Sequence, residues 1–550
     1  MPVLRFKPEK LIKLTGLSLD EIMETLFKLK CESELIDEDL EVEINPDRPD
    51  LYISEGLARA INGLQGKRKG WKKPKIIDSG YSLEVRPPST RPYIAAAIVY
   101  NVNIDEDFLE ELIQFQEKLH DTIGRRRRKV AIGIHDLDKL PSKNLRYIDE
   151  SLDADMIPLD DTRRYSIRQV LENTTQGQKY GNISLNTDRG THPALYSGEE
   201  IIAIPPVINS NVTRLEPGTK HVFIDVTGTH RETVNKVLDI IVTALTEREG
   251  AYIGSIKIYT PQGEVTTPLL TTKTLRITRQ LVTQTLGLEL SLESITDSLG
   301  RTLHNVTIEE NSIIVTPAPF RVDIIREVDL IEDIAIALGY ESLGFNRPVV
   351  ESPGKLLPES RLSRVLRELA IGLGFTEVTQ LTLISPKLLD YTHFHERVEI
   401  LNPVQYEYSA LRPSLIPSLL SVAAKNVHAR KPVKVFEIGM IVKPGSPPTD
   451  HLHMALLIMD DEVGYEDIQA SVYSILRILD VDFKVEPTSH PVFITGRAAR
   501  LLTSNGEELA IMGEVNPEIL EKLEISFPIA VADLDVEVLA RWKYKTSNRH

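Results

Sequence analysis

Leu17-Ser-Leu-Asp-Glu-Ile22 and Leu290-Ser-Leu-Glu-Ser-Ile295 open two stretches that read alike. In the first, Ser18 and Glu21 form a capping box, in which a hydroxyl and a carboxylate satisfy orphan amides at a helix start. Ile22, Leu26 and Leu29 follow at helical spacing. Leu40-Glu-Val-Glu-Ile44 then alternates apolar and acidic residues, which suits a half-buried strand. Asn45-Pro-Asp-Arg-Pro-Asp50 punctuates the chain before a second helix that runs through Leu57, Ala58, Ala60 and Ile61 to Gly63. The second stretch repeats the layout. Arg321-Val-Asp323 takes the place of Arg48-Pro-Asp50, and the helix that follows ends at Gly339. Similar caps and apolar spacing predict two similar small α/β units, over residues 1–80 and 265–346. The first carries a basic linker, Gly66-Lys-Arg-Lys-Gly-Trp-Lys-Lys-Pro74.

Working outward, residues 85–262 alternate β-rich and helical runs. Ile94–Tyr100, Val130–Ile134, Ile201–Ile208 and His221–Val226 read as strands, and Phe108–Leu119 and Thr233–Thr246 as helices. An α+β domain of ordinary size is expected there. Residues 355–550 begin with a helix carrying Leu362, Val365, Leu366, Leu369 and Leu373, and continue into strands such as Lys434–Ile438 and His453–Ile458. Helices with a broad antiparallel sheet are the simplest account. The fold class is thus α+β and multidomain, in keeping with 550 residues at roughly 100–200 per domain.

Sixty-four basic against eighty acidic residues give a net charge of −16, which argues against wholesale nucleic-acid binding but leaves room for a local basic patch. Cys31 is the single cysteine, so intrachain disulfides and thiolate-built zinc or iron–sulfur sites are excluded. Met1–Lys7 has no secretory apolar run, and no stretch approaches the roughly 20 apolar residues of a membrane helix. A cytoplasmic protein without membrane attachment is expected.

Two places could carry chemistry. In Glu327–Leu338, Asp329, Glu332 and Asp333 fall at i, i+3 and i+4, on one helical face, with Val328, Ile331, Ile334 and Leu338 turned to the core. Asp323 stands just before. Four hard oxygen donors suit Mg²⁺, while acids near a helix N-terminus equally favour the macrodipole. The second place is Pro205-Pro-Val-Ile-Asn-Ser-Asn211 together with Phe223-Ile-Asp-Val-Thr-Gly-Thr229. Two apolar strands ending in small polar groups build a pocket floor with a hydrogen-bonding rim; the same groups also make turns. His135, Asp136 and Asp138 could ligate a metal or simply form a polar strand exit. No Gly-x-x-x-x-Gly-Lys-Ser/Thr loop and no Gly-x-Gly-x-x-Gly turn occurs, so the commonest nucleotide cradles are missing.

Taken in order, several strings resemble one family, the phenylalanine–tRNA ligase beta subunits in their shorter archaeal and eukaryotic-type form. They are Asn45-Pro-Asp-Arg-Pro-Asp-Leu51 with Glu55–Ala60, Val130–Leu137, Pro205–Ser210 with Ile224–Thr229, Arg321-Val-Asp323 with Asp329–Asp333, Leu401-Asn-Pro403 with Leu411-Arg-Pro-Ser-Leu415, and Val435–Gly439. The resemblance covers nearly the whole chain. It implies an aminoacyl-tRNA ligase subunit in an α₂β₂ heterotetramer, with ATP and phenylalanine bound through the alpha subunit and the tRNA for phenylalanine as substrate. It implies that 85–262 is an editing-type domain hydrolysing mischarged tyrosyl-tRNA, with Asn209, Ser210, Asp225, Thr227 and Thr229 as pocket residues. It implies Mg²⁺ on Asp323, Asp329, Glu332 and Asp333, which favours the metal reading of the acidic cluster. It implies that 355–550 is a class II synthetase-like core that has lost its ATP grip and packs on the alpha subunit. The basic runs Lys67–Lys75 and Arg125–Lys129 are the candidate tRNA contacts on phosphate electrostatics. A free-standing editing hydrolase and a tRNA-binding scaffold built from the same domains are the alternatives.

Overall fold

Ser18 starts its helix as the spacing predicts. Its Oγ accepts from the Glu21 amide, and Glu21 Oε2 accepts from the Ser18 amide at 2.8 Å, opening Leu19–Lys28. Ser291 repeats half of the device, its Oγ accepting from the Ser294 amide at 3.0 Å to open Leu292–Arg301. Serine at position 294 supplies no carboxylate to close the box. In this computed structural model, which describes residues 2–309, 312–345, 347–348 and 352–546, the two stretches share one element order. A strand (Val3–Phe6 or Leu275–Thr278) leads to two helices. A hairpin follows (Glu32–Ile36 with Asp39–Glu43, or Asn305–Glu309 with Ser312–Thr316), and then a last helix (Ser54–Leu64 or Glu327–Leu338). In each three-stranded sheet the last strand in sequence sits in the middle. Even the left-handed residue after the second helix recurs, at Lys30 (φ 62°) and Leu303 (φ 71°).

The chain forms two compact units, Met1–Arg347 and Pro348–His550. In the first, the two small sheets lie beside a central ten-stranded sheet. Its path runs Ile208–Asn209, Glu200–Ile204, Thr191–Ser197, Asn144–Ser151, Ile76–Val85, Tyr252–Thr260, Tyr93–Tyr100, Val222–Gly228 and Val130–Asp136, and Gly263–Thr267 pairs with Tyr252–Thr260. Strand alternation divides this sheet into two faces. Val222, Ile224 and Val226 pack with Phe108, Leu112, Phe115, Val237 and Leu238 of the helices Glu106–Asp121 and Arg231–Leu245. Phe223 points the other way, into a cluster with Ala96, Ile98, Leu83 and Tyr147. The expected strand Ile201–Ile208 is broken in two. Pro205 and Pro206 have no N–H for a ladder, so the chain turns, with the Val207 amide donating to Ile204 O at 2.8 Å and Ile208 coming back opposite Ile204.

The basic stretch after Gly66 is stapled down rather than loose. Arg68 pairs with Glu247 at 2.6 Å, Lys69 pairs with Asp297, and the Gly70 amide donates to Gly300 O at 2.8 Å. Trp71 and Asn305 exchange two hydrogen bonds.

The second unit has a seven-stranded sheet in the order Thr376–Glu377, Val433–Lys443, Thr449–Met459, Ile529–Asp535, Glu508–Val515, Phe493–Leu502, Lys484–Pro487. Only its first pair is parallel. Pro358–Gly372, Tyr465–Ile478 and Val536–Thr546 cover one face, and Ile416–Lys425 and Pro517–Lys522 the other. Beyond Thr376–Glu377 the chain leaves this sheet. Leu383–Ile384 belongs to a separate three-stranded sheet with Ala410–Leu411 and Val398–Glu399.

Candidate functional site

Val130–Asp136 and Val222–Gly228 run antiparallel, with Gly133 opposite Asp225 and His135 opposite Phe223. Residues two apart share a face, so His135, Gly133 and Asp225 all point away from the helices. Because Gly133 has no side chain, the His135 ring reaches across it to Asp225, with Nε2 to Oδ1 at 2.9 Å. On the far side of the ring, Nδ1 lies 2.7 Å from the hydroxyl of Thr213, which can donate or accept. All three side chains are buried. On its other flank Asp225 faces Ala96. Small neighbours on both sides leave an opening over the carboxylate.

That opening is a cavity of about 670 Å³, within the usual range for a small-ligand site. Asn209, Ser210 and Asp225 line it, together with Gly133, Thr213 and Arg127. Asn209 Nδ2 donates to Ile134 O at 3.3 Å, and Ser210 Oγ donates to Ile157 O at 2.8 Å. Two of the expected residues are elsewhere. Thr227 is buried against Arg91, whose Nε donates to its Oγ1 at 2.9 Å and whose NH2 donates to its carbonyl. Thr229 is exposed beyond the end of its strand. Burial pulls the Arg91 guanidinium down to about 10.

Arg127 closes one wall. Its guanidinium donates to Glu117 at 2.6 Å and to the carbonyls of Pro206 and Val207, both at 3.1 Å, and lies 4.3 Å from the Tyr180 ring centre. Glu117 is partly buried, which by itself raises its pKa, but His120 and Arg127 hold it down to about 2. Sequence reading singled out His135 for a possible metal and missed its bond to Asp225. The signal was there in outline: alternation along Val130–Asp136 puts Gly133 and His135 on one face. Only the strand pairing names their partner.

The acidic cluster is held by a cation of the chain itself. Arg321 is buried, donating to Asp323 through Nε and NH2 (3.0 and 2.6 Å) and to Asp333 through NH1 and NH2 (2.7 and 2.9 Å). His304 Nε2 adds 2.5 Å to Asp333. Burial alone would raise the Asp333 pKa, and Arg321 and His304 bring it well below the usual carboxylate range. Asp329 caps its own helix, its Oδ2 accepting from the Ile325 and Arg326 amides, both at 2.7 Å. Glu332 is exposed and pairs with Lys30 at 2.8 Å. The carboxylates thus do not share one face: Asp333 turns inward, Glu332 outward, and Val328 is exposed rather than core. Among the described residues no group of three or more His, Cys, Asp or Glu side chains converges to hold a metal. So arranged, the set does not fit a Mg²⁺ held by this chain alone. The Arg48–Asp50 pair (2.8 and 2.9 Å) repeats the Arg321–Asp323 fork in the first small unit.

In the second unit the strings around Arg412 and Val435 meet in the interior. Arg412 pairs with Glu437 at 2.8 Å and donates to Met440 O. Asp533 accepts from Ser414 Oγ at 2.5 Å and from His453 at 2.7 Å.

Residues 346–536 match the phenylalanyl tRNA synthetase beta chain CLM domain, and residues 275–340 match the tRNA synthetase B5 domain. A phenylalanine–tRNA ligase beta subunit from Aeropyrum pernix is 50% identical over 552 residues, spanning 99% of this chain and 100% of that one. This chain belongs to the phenylalanine–tRNA ligase beta-subunit family. Another archaeal member, from Sulfolobus acidocaldarius, is 41% identical across 98% of this chain and 100% of its own. The crystal structure of an N-terminal fragment of the phenylalanyl-tRNA synthetase beta-subunit from Pyrococcus horikoshii has a TM-score of 0.59 at 33% identity, covering 62% of this chain and 100% of the fragment. Within this family of aminoacyl-tRNA ligase subunits, the B5 match contains the Arg321 network and the CLM match contains the Arg412–Glu437 pair. The Asp225 cavity lies outside both matches, in sequence that the beta-subunit relatives cover. Among the described residues no helix is long and apolar enough to cross a membrane.

Proposed function

We propose that this beta subunit edits: the Asp225 cavity hydrolyses tyrosine from mischarged tRNA, while an alpha subunit, in an α₂β₂ assembly, binds ATP and phenylalanine and charges the tRNA. The single observation behind the editing half is the buried Asp225 carboxylate, braced on one oxygen by His135 and lining the cavity. Tyrosine differs from phenylalanine by one hydroxyl, which an apolar charging pocket rejects poorly. A buried acceptor does the reverse. A phenol pairs with it, whereas phenylalanine would leave it desolvated and unpaired, at about 1–3 kcal/mol. Asn209 and Ser210 sit on the same wall, suited to hold the ester end and a water. In this reading residues 1–80, 85–262, 265–346 and 355–550 serve as two small α/β units around an editing-type domain, followed by a class II synthetase-like core.

The partner half is supported by exposed apolar groups in the second unit. Leu401 and Val404 are fully exposed and Tyr406 is 74% exposed, near the hairpin of the small sheet, a pattern that marks a covered surface in an assembly. The Arg412–Glu437 and Asp533–Ser414 pairs fill the neighbourhood of that sheet's root with internal ion pairs and hydrogen bonds, consistent with charging chemistry residing on the companion chain. Mg²⁺ that charging requires is assigned in this reading to sites not made by the four carboxylates of this chain alone.

The test is Asp225→Ala in the reconstituted αβ complex. Phenylalanine charging should stay within about twofold, and deacylation of tyrosyl-tRNA should fall at least about tenfold, one pairing interaction's worth. Undiminished deacylation would take the cavity out of the reaction. Size-exclusion of the chain with and without the alpha subunit tests the other half. Full-rate tyrosyl-tRNA hydrolysis together with no complex would replace this reading with a free-standing hydrolase.

A further inference from the structure

We propose that the turn Gly124–Lys129 is a phosphate-binding site for the single-stranded 3′ end of an acylated RNA, seated on the rim of the Asp225 cavity. The proposal rests on that cavity being the deacylation site and adds the element that delivers the RNA to it.

Three consecutive arginines in this turn have left-handed backbone: Arg125 (φ 51°), Arg126 (φ 53°) and Arg127 (φ 64°). L-residues avoid this region, and runs of them are rarer still. The surroundings impose it. The amides of Gly124, Arg127 and Lys129 donate to Leu119 O, His120 O and Gly124 O at 2.9, 3.2 and 2.9 Å. Buried Arg91 donates to the Arg127 carbonyl at 3.2 Å. A Cβ on Gly124 would lie 2.6 Å from His120 O, so only glycine enters the turn. Strain kept by so many fixed contacts clusters at functional segments.

The result is a division among neighbouring guanidinium groups. Arg127 turns inward to form the cavity wall, while Arg125, Arg126 and Arg128 are exposed. None of these three has a carboxylate within ion-pair distance among the described residues, although the chain carries a net charge of −16. The other basic run differs: Arg68 and Lys69 are neutralised by Glu247 and Asp297. Lys179, also on the cavity wall, adds charge to the same rim; Asp121 is the acid acting on it, and Glu117, on the same wall, is taken by Arg127. With successive Cα atoms about 3.8 Å apart, the free arginines stand one or two residues from the cavity wall. A cavity of about 670 Å³ takes an acylated terminal nucleoside but not the strand behind it. The next phosphates therefore cross this rim, where planar guanidinium forks grip them in pairs.

The test uses the reconstituted αβ complex carrying R125Q, R126Q and R128Q together. KM for tyrosyl-tRNA deacylation is expected to rise about tenfold with kcat within about twofold, and the salt dependence of log KM to lose about 2 in slope, since each single-strand phosphate contact contributes about 0.7. Hydrolysis of 2′(3′)-O-tyrosyladenosine, which has no phosphate behind it, should be unchanged. An unaltered KM and salt slope, or an equal loss on both substrates, overturns the proposal. If the wild-type complex hydrolyses neither substrate, the cavity reading fails by itself. The turn is then judged by the Kd of an RNA hairpin with an unpaired 3′ tail: about tenfold weakening in the variant supports it, and an equal Kd overturns it. Should the triple variant melt lower than wild type, R126E alone is measured in the same way.

Discussion

Gly133 stands opposite Asp225 in the ladder, and a Cβ at position 133 would lie 2.2 Å from Asp225 Oδ1 and 2.9 Å from His135 Nε2. The missing side chain is what lets the histidine and the aspartate meet. Gly133→Ala therefore pushes apart a buried pair without touching any charge. Overpacking of this kind costs about 1–3 kcal/mol. We expect tyrosyl-tRNA deacylation to drop by roughly ten- to a hundredfold and phenylalanine-dependent pyrophosphate exchange in the complex to hold. Equal rates for glycine and alanine enzymes would show that the His135–Asp225 contact is not needed.

His453 lies between Asp533 (2.7 Å) and Asp535 (3.5 Å) in the second unit. Burial alone would lower its pKa, but the two carboxylates, Asp533 first, raise it to about 9. Its unfolded value is near 6.5. A raised folded pKa stabilises fully below pH 6.5, and that contribution is lost as the pH climbs through 9. At about 1.4 kcal/mol per pH unit the full amount is at most about 3 kcal/mol. The stability of the second unit against denaturation should thus fall between pH 6.5 and 9, and His453→Gln should flatten that slope. The same slope in both proteins would place the pH dependence elsewhere.

What the sequence disclosed follows from the range of each interaction. Helix starts at Ser18 and Ser291 were readable because a cap acts within four residues. The two small units were readable because the same local signals recur in the same order. Ile201–Ile208 was misread as one strand because its apolar run outweighed Pro205 and Pro206, whose effect is on hydrogen bonding rather than hydropathy. Asp225 was found as a polar end of an apolar strand, but Thr227 and Thr229 came with it, since periodicity does not say that Arg91 occupies one and that the other lies past the strand end. The carboxylates around Asp329 were visible; Arg321 lodged between Asp323 and Asp333 was not, because its partners span a loop and a helix.

Asp239 in the helix Arg231–Leu245 is buried with one backbone partner, the Leu270 amide at 3.3 Å. Burial raises its pKa to about 7. For an acid the sign is opposite to that of His453: the fold prefers the neutral form, so the penalty is absent below about pH 4, grows as the pH rises, and levels off above 7. The full penalty is at most about 4 kcal/mol. Asp239→Asn keeps an oxygen for the Leu270 amide and removes the charge. It should raise the melting temperature of the first unit at pH 8 and leave it nearly unchanged at pH 4. A gain of equal size at both values would point to packing instead of ionisation.

Arg321 donates to both Asp323 and Asp333 from the buried side, and Asp329 and Glu332 are engaged by backbone amides and by Lys30. A cation already neutralises the deepest carboxylates, so a second one gains little unless it displaces a bidentate fork, which is the strongest of the ordinary ion-pair geometries. Titrating Mg²⁺ into the isolated chain should give no stoichiometric heat at millimolar concentration, and prolonged chelation should leave its melting temperature unchanged. Asp329→Ala combined with Glu332→Ala should cost about 1–2 kcal/mol through the lost helix cap, whether or not Mg²⁺ is present. Arg321→Met should cost more, about 3–5 kcal/mol, because it strands two carboxylates against a buried wall. A saturable Mg²⁺ site on the chain alone, abolished by the Asp329 and Glu332 substitutions, would instead make the cluster a metal centre and Arg321 its displaceable stand-in.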